Sequence, residues 1–205
     1  MLLSKNVHRE PSPLDTQDDI IIEVGMNNKG SVLILMVIVI ALVIVMGLSV
    51  LNTAAKQYEI KKFNIDSKES FYVSETGINE AYVRTCDLMD ESIEAALQVA
   101  DDYLAINPSD LVEAENIYRE NYMTHLRANI YNRIETEINP SIKIWNENLL
   151  FIDNELRLIL KSSYMHENNV YKISGADFVI CVPDYDEVST TYDVRNYIRI
   201  QNWNN

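Results

Sequence analysis

Glycine, histidine and cysteine are scarce in this chain of 205 residues, and each scarcity excludes a class of site. The five glycines lie too far apart to form the loop that cradles a phosphate, so no nucleotide-binding motif is present. The three histidines are also far apart, and none stands at the spacing of a metal-ligand pair. No serine or cysteine stands with a histidine in the pattern of a nucleophile and its base. We therefore predict no enzyme, no cofactor and no metal site.

Basic residues are outnumbered as well, with 17 against 31 acidic residues and a formal net charge of −14. A surface this acidic repels phosphate backbones at long range, so we predict no nucleic-acid partner. The densest acidic loop is Asp184–Glu187, which is followed by Asp193. Its carboxylates are ligands that Ca²⁺ prefers, but the glycine of an EF-hand loop is missing. A solvated turn is the favoured interpretation of this loop.

The apolar residues are concentrated in one uncharged run at residues 31–55. As a helix, residues 31–51 would span roughly 31 Å, about the thickness of the hydrocarbon core of a bilayer. The run has no polar stripe, which a core helix of a soluble protein would show over this length. It is too long for a secretory signal, whose cleavage site would also follow the apolar run. We predict a single membrane-spanning helix.

Two motifs flank this region. Lys29 and Gly30 stand directly before the run, which begins at Ser31. A basic residue, a glycine and an abrupt start of hydrophobicity form the junction that prepilin peptidases cut. The block SETGI at residues 74–78 follows farther along. Together, these features resemble type IV pilins, in particular the PilX-type N-terminal signature of minor pilins and pseudopilins. The resemblance covers residues 27–84.

The resemblance implies a route of processing. A prepilin peptidase would cut after Gly30 at the cytoplasmic face, and the new amino group of Ser31 would be methylated. Glycine suits such a cut because an extended backbone without a side chain enters a protease cleft easily. The apolar helix would first be stored in the membrane and then pack in a cell-surface filament. The implied partners are other pilin subunits, the prepilin peptidase and the pilus assembly machinery, and the C-terminal domain would lie outside the cell.

The resemblance also marks one departure and three signature positions. Most pilins have glutamate at the fifth mature residue, where it pairs with the terminal amine of a neighbour, but this chain has Leu35. Because a carboxylate in a bilayer is costly and is kept only for a partner, this subunit is expected to lack that salt bridge. Tip subunits of related secretion systems lack it too. The resemblance thus implies a minor pilin or pseudopilin in an assembly role, for which the filament tip is one candidate position. The signature positions that carry over are Ser74, Glu75 and Gly77.

Two alternatives stay open at this level. The first concerns the start, because residues 1–25 are unlike a pilin leader and Met26 begins a compact one. Residues 1–30 are a removed leader in one reading, and translation starts at Met26 in the other. The second concerns function. An uncleaved, single-span protein whose outer domain adheres or senses would have the same anchor-plus-domain layout.

The remaining sequence predicts an α+β domain. A helix is expected to continue from the membrane as a stalk, and the sequence stays compatible with a helix to about Ala105. The residues beyond Cys86 fit either this helix or a separate one. Asp110 with Glu113 resembles a capping box that starts the next helix. That helix should end at Asn139-Pro140, because a residue before proline disfavours the helical region. Its apolar stripe is predicted to be core. The stripe consists of Tyr118, Tyr122, Leu126, Ile130 and Ile134.

From residue 141 the apolar period changes to alternation, which predicts four or five antiparallel strands. The β-rich runs are residues 142–144, 156–160, 170–173, 178–182 and 197–200. The predicted layout is a membrane helix at 31–55, a stalk and second helix at 56–140, and an antiparallel β region at 141–205. Packing of both helices against the sheet is the architecture that the resemblance to pilins implies.

Cys86 and Cys181 can form a disulfide outside the cell or remain two buried thiols, and both readings stay open.

Overall fold

The computed structural model describes residues 28–146 and 148–204, without the side chains of Asn28 and Lys29. The chain forms two compact units, Met1–Glu59 and Ile60–Asn205. Most of the predicted leader and the suggested start at Met26 lie outside the described residues.

The first helix, α1, spans Asn28–Ile106 and contains no proline. The predicted helical continuation to about Ala105 is confirmed, and the residues beyond Cys86 belong to the same helix. In the first unit, residues 30–59 are exposed along their whole length. In the second unit, one face of α1 is buried from Asp66 onward at every third or fourth residue, which is the helical period of a core-facing stripe.

The second helix, α2, spans Leu111–Ile134 and begins as predicted, because the side chain of Asp110 accepts a hydrogen bond from the N–H of Glu113. The predicted core stripe is confirmed, since all five of its residues are fully buried. The predicted end at Asn139-Pro140 is wrong. Glu135 already has an extended backbone, and Thr136 pairs with Ile142 in the chain that returns. Strand pairing therefore ends the helix before the proline does.

The sheet consists of five antiparallel strands, in agreement with the predicted number. Strand β4 pairs with β3 and with β5, while β1 and β2 both pair with β3. The runs at 170–173 and 178–182 belong to one strand, and Tyr197 lies in a 3₁₀ helix before the last strand. The strands are β1 (Ser141–Ile144), β2 (Phe151–Ile152), β3 (Glu155–Met165), β4 (Tyr171–Cys181) and β5 (Ile198–Asn204), and the 3₁₀ helix is Val194–Tyr197.

The hydrophobic core lies between the helices and one face of the sheet. Alternate residues of β3 are buried, and their partners on β4 include Phe178 and Ile180. The ring of Tyr82 on α1 meets Phe178 edge to face, with 6.0 Å between the ring centres. Burial of each such large side chain stabilises the domain by about 1.5–3 kcal/mol. The α+β layout of two helices on an antiparallel sheet is thus present.

A short helix, α3 (Tyr185–Val188), corrects the interpretation of the acidic loop as a solvated turn. Its acidic side chains are exposed, but Tyr185 and Val188 are buried. The hydroxyl of Tyr185 donates to Asp101 at 2.6 Å, and its N–H donates to Glu115 at 2.9 Å. The hydrogen bond to Asp101, with a further contribution from burial, raises the pKa of Tyr185 to about 12. Half of this loop therefore serves as an anchor onto the two long helices.

Candidate functional site

The predicted processing junction lies at the N-terminal end of α1. Because the helix begins at Asn28, the Gly30–Ser31 peptide bond belongs to its first turn. Gly30 is exposed, and a Cβ added to it would meet nothing within 4 Å. A protease cleft takes an extended backbone, whereas this bond has a helical one in the structure. The N–H groups of a first turn lack intrahelical partners, so opening that single turn suffices to extend this bond.

Beyond the junction, α1 contains a segment that is long and apolar enough to cross a membrane. Its large aliphatic side chains are all more than half exposed, and Leu35 is 62% exposed among them. With leucine at this position, the apolar run at residues 31–55 carries no charge. A glutamate here would be the only carboxylate in that run. An exposed apolar surface of this extent is typical of a site that contacts a membrane or another protein.

Two of the three signature positions hold α1 against the sheet. The hydroxyls of Ser74 and Ser174 lie 2.6 Å apart, and both side chains are buried. A Cβ added to Gly77 would lie only 2.1 Å from Oγ of Ser162. Ser162 and Ser174 are direct partners in the register of β3 and β4. The serine and the glycine therefore let the helix backbone lie directly over one cross-strand pair.

The third signature position has no such role within the chain. Glu75 is half-buried and makes no hydrogen bond or ion pair with the described residues. The neighbouring hydroxyl of Thr76 donates to the carbonyl oxygen of Tyr72 at 2.9 Å and does not orient Glu75. Within the second unit, Glu75 is thus a helix position whose carboxylate is available to another molecule.

Sequence reasoning missed a polar contact between α1 and the turn that joins β3 to β4. The carboxylate of Asp66 accepts a hydrogen bond from the side chain of Asn168 at 2.7 Å. One turn along α1, Ser70 donates to the carbonyl oxygen of Asp66 and lies 3.5 Å from that of Val170. Nε2 of His166 lies 3.7 Å from the carboxylate of Glu69. The sequence signal that could have indicated this contact is the recurrence of serine at positions 70 and 74, which lie one helical turn apart.

The two cysteines have free thiols and different neighbours. Cys86 lines a cleft of about 480 Å³ beside α1, and burial raises the pKa of its thiol. The sulfur of Cys181 lies 3.8 Å from Oε1 of Glu155 and 3.6 Å from Nη2 of Arg199. In the part of the chain that the structure describes, no group of three potential ligands could hold a metal ion.

No family model, curated protein or solved structure is significantly similar to this chain. The residues themselves provide the basis for a functional conclusion. They combine an exposed glycine before an uncharged apolar run with a folded α+β unit on the same helix.

Proposed function

We propose that the protein is a minor pilin or pseudopilin, a structural subunit of a type IV pilus or a related assembly system. The observation that supports this proposal is the exposed Gly30 in the first turn of α1, immediately before the apolar run that carries no charge over residues 31–55. In this proposal a prepilin peptidase cuts the Gly30–Ser31 bond. The bond is accessible because it belongs to an exposed first helical turn.

Cleavage would allow the apolar helix to move from the membrane into a filament. Before cleavage, the polar leader holds the N-terminus at the cytoplasmic face, because polar and charged groups cross a bilayer only at a high cost. After cleavage, the chain begins at Ser31 and the helix can leave the lipid. Its exposed aliphatic surface then packs against the corresponding helices of other pilin subunits. The second unit, beginning at Ile60, would lie outside the cell.

Leu35 supports a minor role rather than that of the main structural subunit. The terminal amine of the next subunit would find no carboxylate at this position, so this chain contributes no such salt bridge to the filament. A subunit at the tip or at the start of assembly has the least need for that bridge.

The test is coexpression of the full chain with a prepilin peptidase, followed by mass spectrometry of the intact product. We expect a loss of 30 residues, or of five if translation starts at Met26. Gly30→Leu should block this loss because the added side chain obstructs the protease cleft. Gly47→Leu is the matched control, since Gly47 also has nothing within 4 Å of an added Cβ but lies inside the apolar run.

A mature N-terminus at any residue other than Ser31 would contradict the proposal. A full-length chain that stays in the membranes of cells with assembled filaments, and never enters those filaments, would also contradict it. That second result would favour the alternative of an uncleaved, membrane-anchored binding protein.

A further inference from the structure

The sheet face turned away from the helices is uncovered in the described part of the chain. Apolar side chains on it are markedly exposed, with Trp145 at 62%, Ile173 at 46% and Ile159 at 38%. Gly175 lies between the two isoleucines and leaves a shallow socket of about 180 Å³. We call this surface the outer sheet face, and an apolar patch of this kind marks an interaction site more often than free surface.

The charges on the outer sheet face favour an acidic partner. Its two strand carboxylates are neutralised, because Glu155 forms an ion pair with Arg199 and Asp177 forms one with Arg157. Among the described residues, Lys161 has no carboxylate partner, and its ammonium group lies 3.3 Å from the ring centre of Trp145. This face therefore presents an unneutralised cation beside an apolar socket, on a chain whose net charge is −14.

The same chain presents a complementary surface in its helical layer. The cleft of about 480 Å³ beside α1 is lined by Val83, Asp87 and Asp90, and by Tyr192, Asp193 and Arg195 from the segment before β5. Asp87 is exposed and makes no hydrogen bond or ion pair with the described residues. We call this surface the acidic cleft.

The acidic cleft suits an ammonium group on an apolar stem better than a bare metal ion. Its carboxylates are dispersed, since no three potential ligands in the described ranges could hold a metal. Val83 is 56% exposed at the cleft and offers an aliphatic contact next to Asp87, which lies one helical turn along. Three carboxylates line the cleft against one guanidinium group, that of Arg195, and so outnumber it. The single basic residue of α1 from Glu69 to Ile106 is Arg84, which pairs with Glu80. The local field therefore attracts a cation.

We propose that the outer sheet face of one copy docks onto the acidic cleft of a second copy, with Lys161 facing Asp87. The two surfaces are different, so the contact is heterologous and leaves one free surface at each end of a pair. Such contacts extend into rings or open chains rather than closed twofold dimers. Both surfaces belong to the second unit, so the contact is independent of cleavage after Gly30.

The experiment measures self-association of the full chain in detergent micelles by light scattering over a range of protein concentrations. Lys161→Glu and Asp87→Lys should each weaken association at least tenfold, because each places like charges opposite one another. The double variant carrying both changes should restore it, since the charges are exchanged but still complementary. Raising the salt concentration should weaken association of the unmodified chain.

The controls are Lys68→Glu and Asp102→Lys, which make the same charge changes on exposed α1 residues outside both surfaces. The apolar helix is identical in every variant, so its own association does not alter the comparison. The proposal is overturned if the unmodified chain is monomeric throughout, if the controls weaken association equally, or if the double variant fails to restore it. None of these results bears on the N-terminus at Ser31, so the proposed function is tested separately.

Discussion

At the scale of single residues, Gly77 is the position where α1 approaches the sheet most tightly. The nearest atoms to an added Cβ would be Oγ of Ser162 at 2.1 Å, Cβ of Ser162 at 3.0 Å and Cγ of Pro140 at 3.2 Å. Rotation of the serine hydroxyl relieves only the first of these contacts. The glycine is therefore explained by a close approach of the helix to the strand, and its φ is not unusual.

We expect Gly77→Ala to lower the free energy of unfolding by about 1–2 kcal/mol. Overpacking of a buried site costs about 1–3 kcal/mol, and the better helix propensity of alanine offsets part of it. Thermal and denaturant unfolding followed by circular dichroism would measure the change. Gly47→Ala is the control, because nothing surrounds that position.

A second substitution at the same site should restore part of the stability that Gly77→Ala removes. Adding Ser162→Ala to the Gly77→Ala chain removes the closest clashing atom and should recover part of the lost stability. Ser162 Oγ has no hydrogen-bond partner in the described residues, so its removal carries little cost of its own. A Gly77→Ala chain that unfolds like the unmodified protein would contradict the packing explanation.

At the scale of elements, Asp177 ties three neighbouring strands together. It lies on β4, forms an ion pair with Arg157 on β3 and accepts a hydrogen bond from Asn202 on β5 at 2.8 Å. Burial by itself would raise the pKa of this carboxyl group. The hydrogen bonds from Asn202 and Arg157, together with the arginine charge, outweigh burial and lower the pKa below its usual range. The carboxylate is therefore more stable in the folded chain than in the unfolded one.

The sign of the pH effect follows from that lowered pKa. The stabilisation is present above the unfolded value of about 3.9 and is lost as the pH falls through the folded value. We expect Asp177→Asn to lower the free energy of unfolding by about 1–3 kcal/mol at pH 7 and by much less at about pH 2–3. Denaturant titrations at both pH values measure this difference. An equal loss at both, or a loss matched by the exposed control Asp102→Asn, would refute the role of the charge.

At the scale of the whole molecule, the described residues of the first unit have no buried interior, whereas the second unit contains the hydrophobic core. Every described residue from Gly30 to Ile65 is exposed, whereas the core cluster runs from Ile78 to Ile198. The hydrophobic free energy that folds the second unit therefore comes from within it. The apolar surface of the first unit contributes only when lipid or another helix covers it.

We therefore expect a chain that starts at Ile60 to fold and to remain soluble without detergent. Its unfolding midpoint should match that of the domain in the full chain, because residues 30–59, which the truncation removes, are all exposed. The full chain should stay with the membrane fraction after alkaline extraction. Circular dichroism and fractionation test both statements. An unfolded or aggregated fragment would show that the second unit depends on residues before Ile60.

The sequence by itself was sufficient for those features that depend on neighbours a few residues apart. An uncharged run at residues 31–55 is enough to predict a helix that is long and apolar enough to cross a membrane, because length and hydrophobicity alone decide this property. The start of α2 at Asp110 follows from a local cap, and the buried stripe of that helix follows from its period. The α+β layout follows from the change of period after residue 140.

Only the tertiary structure decided the features that depend on residues distant in sequence. Pairing of Thr136 with Ile142 ended α2 before Pro140, and a continuous register with β3 merged two apolar runs into β4. Ser74 meets Ser174 across 100 residues of chain, so no local pattern shows why the signature contains a serine there. Periodicity and caps act through short-range backbone geometry, whereas strand pairing and helix docking depend on which distant surfaces come into contact. The physical difference is the range of the interaction.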